Sequence, residues 1–208
     1  MSNKKGFLIG FSVVDGAGKS TQVKLLHQSL SKQGFNCIMH DIYERKFYSL
    51  TNRIYAETDL RRIYSLDTAE ILMVCDEIIQ YEKKVRPLIN KGYTVLSARS
   101  LSDRYLKSIL YNANNVNDIK KLCLLTVAPD LHFFLQAKLD TILKRISIRG
   151  TDSENPEIMK SYIKIANDEA IKQDWKIINS DGEINSIQNE IFCNVNKYLS
   201  SRKGIYNV

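Results

Sequence analysis

The stretch with the clearest chemical meaning is DGAGKST, residues 15–21. Gly18, Lys19 and Ser20 complete the pattern G-x-x-x-x-G-K-[ST], which holds the phosphates of a nucleoside triphosphate. In such a phosphate-binding loop (P-loop), the backbone N–H groups and the start of the next helix point at the anion. The lysine reaches the outer phosphates, and the serine hydroxyl binds Mg²⁺. The stretch therefore predicts ATP and Mg²⁺ as ligands, with Ser20 as the metal ligand.

One residue of the pattern is missing, because Val13 stands where the first glycine belongs. A β-branched residue is costly where φ must be positive, but it costs little where the backbone is extended. The part of the loop nearest the phosphates is intact, so we expect the loop to keep its curvature. The predicted ATP contacts in it are Asp15, Gly16, Ala17, Gly18, Lys19, Ser20 and Thr21.

Apolar runs that alternate with helical patterns must position this loop. Five runs read as strands, and they are GFLIGFSVV, FNCIMHDIY, YTVLSAR, DLHFFLQA and WKIINS. Helical patterns lie between them, among them one closed by Gly34, a long one over about 67–92, and others over 118–127, 139–150 and about 183–200. Strands separated by helices predict an α/β fold, here a P-loop three-layer αβα sandwich with a mainly parallel five-stranded sheet.

Three polar segments each follow one of the first three predicted strands: DGAGKST, YERK and SARS. Because ligands of parallel sheets bind at the carboxyl ends of the strands, we expect these segments to meet in one site.

Length and composition narrow the function classes. The 208 residues suit a single domain over 1–208, and the formal charge of +7 favours anionic ligands. No dense basic run and no long apolar run occurs, so we expect neither a nucleic-acid nor a membrane partner. The four cysteines lie far apart, which predicts buried free thiols and a cytoplasmic location.

Taken together, these segments resemble the thymidylate kinase family of nucleoside monophosphate kinases over nearly the whole chain. The matching segments are DGAGKSTQ, YER, the stretch from TAEILMVC to VLSAR, APDLHFFLQAKLDTILKRISIRG and WKIINSDGEINSIQNEI. The resemblance implies transfer of the γ-phosphoryl group of ATP to dTMP or to an altered nucleotide acceptor. It also implies a homodimer that associates through helices around residues 67–91.

The resemblance also assigns roles to single residues. Lys19 and Arg149 would neutralise the transferred phosphoryl group, and Asp15 would contact the acceptor sugar or a magnesium-bound water. Arg45 and Arg99 would bind the acceptor phosphate.

The chain departs from the family after the third strand, where an Asp-Arg pair is expected. Aligned on the strand, the pair becomes Ala98 and Arg99, so the arginine is kept and the carboxylate is lost. Asp103 and Arg104 form a second Asp-Arg pair five residues later. We expect Arg99 to contact phosphate, with Arg104 as the alternative, and Asp103 is a candidate for the missing carboxylate.

The acceptor pocket departs as well. The family's long helix offers a phenylalanine that stacks on thymine and an arginine four residues later that binds the base. Met73 and Glu77 occupy these positions. A carboxylate cannot donate the hydrogen bonds that an arginine donates, so the acceptor should be altered. The other possibility is that Glu77 points to solvent and the pocket wall lies elsewhere.

The lid, predicted over about 149–157, is the third departure. Members with glycine at position 16 usually carry several arginines in the lid, and this chain offers Arg145 and Arg149 before an acidic segment. Residues four apart share a helix face, so both arginines can point at the ATP site, with Arg145 as a further ATP contact. Lys144 is expected on the surface.

Three functions remain open on the sequence. The first is a nucleoside monophosphate kinase, and the second is a kinase that uses the same ATP site for a nucleoside or another small molecule. The third is a non-catalytic nucleotide-binding protein, which would explain Val13, Ala98 and the acidic lid together. Intact Lys19 and Ser20 argue against the third.

Overall fold

A computed structural model describes residues 6–40, 64–150 and 155–205. Arg45 and residues 151–154 of the predicted lid lie outside these ranges. The sheet has five strands: β1 (Phe7–Val13), β2 (Cys37–His40), β3 (Thr94–Ser97), β4 (Leu131–Gln136) and β5 (Lys176–Asn179). Their order is β2-β3-β1-β4-β5, and every neighbouring pair is parallel. The predicted α/β fold with a parallel five-stranded sheet is confirmed.

The central strand, β1, is buried on both of its faces, and this accounts for the three layers of the fold. Along β1, successive side chains point to opposite faces, and both faces are covered. Phe7, Ile9 and Phe11 pack into one hydrophobic cluster, whereas Leu8 packs into another. A strand buried on both sides reads as a continuous apolar run, which is why β1 could be recognised in the sequence.

Helices fill the two outer layers. Within the described ranges they are α1 (Lys19–Lys32), α2 (Leu66–Gln80), α3 (Arg86–Asn90), α4 (Leu101–Leu110), α5 (Val116–Cys123), α6 (Leu139–Arg149), α7 (Pro156–Lys172) and α8 (Ile184–Ile205). None of the described helices is long and apolar enough to cross a membrane.

The long helix predicted over 67–92 is not continuous. A π-helical turn, Tyr81–Val85, separates α2 from α3, and Pro87 lies in the first turn of α3. Proline has no N–H to donate to the preceding turn, and its ring crowds that turn, so a wider turn ahead of it relieves the clash. The same turn holds Tyr81 in the interior, where its hydroxyl contacts Ser97 Oγ at 3.0 Å.

Two further predictions need correction. The helix predicted over 118–127 ends at Cys123, and the next residue, Leu124, is exposed. All four cysteines are free, as predicted, but none is fully buried: Cys37, Cys75 and Cys123 are half-buried, and Cys193 on α8 is exposed.

Candidate active site

The P-loop connects the end of β1 to the start of α1. Gly16 and Gly18 have φ angles of 93° and 97°, in the left-handed region that glycine adopts without strain. Gly18 is the N-cap of α1, so the unpaired N–H groups of that helix's first turn face the loop. The curvature predicted from the two glycines is therefore present.

Val13 does not interrupt this arrangement, because it belongs to the strand and not to the loop. It is the last residue of β1 and lies in register with Leu135 of β4. An extended backbone is the conformation that a β-branched residue favours.

We therefore expect Val13→Gly to leave ATP affinity nearly unchanged. The loop's curvature depends on Gly16 and Gly18, and the valine occupies an extended position that needs no glycine. Isothermal titration calorimetry with ATP on both proteins measures the difference. A gain above about tenfold, or about 1.4 kcal/mol, would contradict the prediction by showing that the valine distorts the loop.

Helix α6 packs directly over the loop. A Cβ atom added to Gly16 would lie 2.9 Å from Ile142 Cγ2, too close for a side chain to fit. Arg145, one turn further along α6, donates from Nη2 to the carbonyl oxygen of Ser180 at 2.9 Å. That bond holds the guanidinium between the loop and the end of β5. Its Nη1 atom lies 3.9 Å from the position that a Cβ atom on Gly18 would occupy.

A cavity of about 330 Å³ lies between this loop and α6. Residues 14–22 form one wall, with Arg145, Ile148 and Arg149 from α6 and Ile184 and Ile187 from α8 opposite. The cavity thus combines cationic side chains near the glycines with apolar side chains further out. All seven predicted ATP contacts in the loop, together with both lid arginines, line it; Lys144 is exposed and does not.

At the mouth of the loop, Arg99 meets Asp15. Arg99 Nη2 lies 3.2 Å from Asp15 Oδ1, and both side chains remain partly accessible to solvent. The segment after β3 therefore brings the arginine that the strand alignment selected to the P-loop.

Asp103, in the first turn of α4, lies inside the same site. Its side chain is buried, and its Oδ1 atom has no hydrogen-bond partner within the described ranges. Burial raises the pKa of this carboxyl, whereas Lys19, a hydrogen bond from Ser12, and Arg99 act to lower the pKa. Asp103 thus lies close enough to the P-loop lysine and to Arg99 to interact with both.

Two buried polar residues of the site were missed in the sequence. Ser12 Oγ lies 2.8 Å from His132 Nε2 and 3.0 Å from Ser100 Oγ. Ser100 is the N-cap of α4, so His132 on β4 is connected through Ser12 to the start of the helix that carries Asp103. The available signal was a polar residue within each apolar strand, since buried polar groups need partners.

His132 should make the protein sensitive to acid. Burial lowers the pKa of its imidazole from 6.5 to about 3, so between these values the unfolded chain binds a proton that the folded chain does not. The contribution of His132 to the free energy of unfolding is fully present above pH 6.5. It is lost by up to about 1.4 kcal/mol per pH unit as the pH falls below that value. Urea unfolding of wild type and His132→Gln across this interval tests the effect. Equal slopes against pH for the two proteins would contradict it.

Met73, which is half-buried, and Glu77, which is buried, both contact Arg104. Arg104 Nη2 lies 2.5 Å from Glu77 Oε1, and Arg104 Nη1 lies 3.4 Å from Met73 Sδ. Glu70 Oε2 is a further 3.8 Å neighbour of Nη1. Glu77 is buried, so the possibility that it points to solvent is wrong. Helix α4 thus places a guanidinium against both positions of the long helix that depart from the family.

Comparison with known proteins identifies the family of this chain. The family model for thymidylate kinase matches residues 14–191. This chain belongs to the thymidylate kinase family. A thymidylate kinase of Desulfotalea psychrophila is 29% identical, with 96% of this chain and 98% of that protein covered. A probable thymidylate kinase of Caldivirga maquilingensis is 24% identical, with 93% and 95% covered.

The fold comparison agrees with the family. The thymidylate kinase of Candida albicans superposes with a TM-score of 0.75 over 93% of both chains, at 19% sequence identity. The predicted fold and family are confirmed, and the chain is an ATP-dependent phosphotransferase of the dTMP kinase family. The non-catalytic interpretation and the kinase of another small molecule are not favoured.

Proposed function

We propose that this thymidylate kinase family member transfers the γ-phosphoryl group of ATP to dTMP at the mouth of the P-loop. The observation that carries the proposal is the convergence of Lys19, Arg99 and Asp103 beside the loop glycines. Phosphoryl transfer needs positioning and charge neutralisation more than a covalent residue, and these side chains supply both.

On the ATP side, the cavity walls match the two ends of the nucleotide. The loop N–H groups and Lys19 would hold the phosphates, and Arg149 would neutralise the transferred group. Arg145, anchored to Ser180, would contact the phosphates near Gly18. Ile148 and Ile184 are largely exposed in this cavity and would cover the apolar faces of the base.

Magnesium fits the same residues. The Ser20 hydroxyl lines the cavity at the start of α1, and Asp103 offers a buried carboxylate oxygen without a hydrogen-bond partner in the described ranges. Oxygen ligands with few protein carboxylates are what Mg²⁺ uses beside phosphates. When bound, the ion would neutralise charge on the phosphate oxygens. We assign Ser20 as its ligand and Asp103 as the carboxylate that replaces the one absent at Ala98.

On the acceptor side, Arg99 is the proposed phosphate contact because it lies against Asp15 at the open end of the site. Arg104 is held by Glu77 and Glu70, so its proposed role is to present a donor beside Met73 for the base. Arg45 remains a proposed phosphate contact on the resemblance alone, since it lies outside the described ranges.

A panel of phosphoryl acceptors tests the function. ATP consumption is measured with dTMP, other nucleoside monophosphates and the corresponding nucleosides, and we expect the highest kcat/KM with dTMP. Another monophosphate as the best acceptor would show that the Glu77–Arg104 pair has changed base selectivity. Turnover of nucleosides alone, without any monophosphate, would overturn the proposal.

We also propose that the chain forms a homodimer through α2. Val74 is fully buried in the core, but Ile71 and Ile79 are exposed to 39% and 37% on a stripe that also contains Cys75 and Ile78. Exposed apolar side chains on one helix stripe favour burial against a partner. Light scattering after size exclusion should give a dimer for the wild type and a monomer for Ile71→Lys. A monomeric wild type would contradict the proposal.

A further inference from the structure

A second cavity, of about 390 Å³, lies away from the P-loop. It opens between α4, α5 and α7 and reaches the buried face of β4. None of the loop residues 14–22 lines it, so it is separate from the ATP cavity. Its volume is that of a small-molecule site.

The walls combine aromatic side chains with hydrogen-bonding groups. Trp175 packs against His132 with ring centroids 3.9 Å apart. Lys120 Nζ lies 4.9 Å from the centroid of the Tyr105 ring. Glu169 is buried and accepts hydrogen bonds from Lys120 at 3.3 Å and Gln173 at 2.8 Å. Planar ligands with polar edges suit such walls, because aromatic faces stack on rings while the polar groups fix orientation.

The charges on the walls argue against a phosphorylated ligand. Lys120 and Lys176 are the cationic lining residues, and Glu169 and Asp174 balance them, while the carboxylate of Asp130 is bound by Leu8 N–H and Tyr198 O–H. The walls therefore carry no excess of positive charge. Lys120 is already paired with Glu169. The ATP cavity differs, since it has Lys19, Arg145 and Arg149 against Asp15 alone.

Hydrogen bonds connect this cavity to the phosphoryl-transfer site by two routes. His132 lines the cavity and contacts Ser12, which in turn contacts Ser100, the N-cap of the helix α4 that carries Asp103. Tyr81 also lines the cavity, and its hydroxyl donates to the carbonyl oxygen of Arg99 at 3.2 Å.

The helix α4 joins the two sites as well. Leu101, Ser102 and Tyr105 face the second cavity, whereas Asp103 and Arg104 on the same helix face the candidate active site. A ligand that shifts this helix therefore changes the position of a carboxylate proposed to act in phosphoryl transfer.

We infer that the second cavity is a regulatory site for an uncharged nucleoside, coupled to phosphoryl transfer through His132, Ser12 and the helix α4. A nucleoside has the planar ring, the hydrogen-bonding edges and the lack of charge that the walls select. The coupling rests on the proposed function of Asp103 and Lys19. Nucleoside binding does not rest on that function, so an experiment can exclude the binding site and the coupling separately.

The single tryptophan of the chain makes binding measurable, because Trp175 lies in the wall of this cavity. The intact protein is saturated with dTMP and a non-hydrolysable ATP analogue, and thymidine, deoxyuridine or adenosine is then titrated. We expect a saturable change in tryptophan fluorescence with at least one of these nucleosides. The same nucleoside should change kcat or the KM for ATP by at least about twofold in the turnover assay.

Two matched variants locate the site. Ala128→Phe places a bulky side chain at the exposed rim of the cavity and should abolish both effects. Leu125→Phe adds the same group at an exposed neighbouring position that does not line the cavity, and it should keep both. Ser12→Ala should keep the fluorescence change and lose most of the kinetic effect.

Four results would overturn the inference. They are no saturable fluorescence change with any of the nucleosides, an unchanged response in Ala128→Phe, binding without a kinetic effect, and tighter binding of dTTP than of thymidine. A kinase that proves inactive on every monophosphate would remove the coupling, while the fluorescence titration would still decide whether the nucleoside site exists.

Discussion

Lys19→Ala should reduce turnover at least about a thousandfold while the protein stays folded. Lys19 is the only cation within residues 14–22, is largely buried, and lies next to the glycine that caps α1. In a transfer driven by charge neutralisation, a lysine placed at the phosphates cannot be replaced by water. Rates with saturating ATP and dTMP measure the loss, and calorimetry measures ATP affinity.

The control for this variant is Lys24→Ala, an exposed lysine on the same helix. It removes an equal charge without touching the ATP cavity, so it should keep nearly full turnover. If Lys19→Ala retained more than about a tenth of the wild-type rate, the loop would not be the site of transfer.

Arg99→Ala should cause a loss of similar size, again about a thousandfold or more, with little change in stability. Its guanidinium is partly exposed at the mouth of the loop, and its ion pair with Asp15 is accessible to solvent. An exposed pair contributes little to folding, so the effect should fall on turnover. The measurement is kcat/KM for dTMP together with a thermal melt.

Arg104→Ala is the matched comparison, and it should behave in the opposite way. Arg104 is buried with Glu77 and Glu70, so its removal leaves buried carboxylates without their cation and costs about 3–5 kcal/mol of stability. Turnover per folded molecule should fall less than in Arg99→Ala. If Arg99→Ala kept most of its activity while Arg104→Ala lost it, the alignment at β3 would be wrong.

Much of the fold was readable because its signals are local. The run FLIGFSV shows a strand buried on both faces, and Gly16 and Gly18 mark a loop that needs left-handed backbone. The π-helical turn before Pro87 could not be placed in the same way, since its position depends on how Tyr81 packs against β3. A proline predicts a disturbance in a helix, but not the form that the disturbance takes.

The same difference between local and long-range signals applies to the residues of the candidate site. Spacing alone identified the P-loop, Lys19 and Ser20, because a phosphate contacts consecutive residues of one short segment. Pairings between distant segments had no such signal. Arg104 binds Glu77 across 27 positions, and Ser12 reaches His132 across 120 positions.

The residue types in DGAGKST thus specify a loop that binds phosphate, whatever the rest of the chain does. The role of Val13 depended on where β1 ends, because a β-branched residue type is disfavoured at a left-handed loop position and favoured in a strand. The different positions of Arg99 and Arg104 depended on packing of α4 against α2, which buries one guanidinium against carboxylates and leaves the other at the mouth of the loop. Local chemistry is carried by neighbouring residues in the chain, whereas burial and ion pairing arise only when remote segments meet.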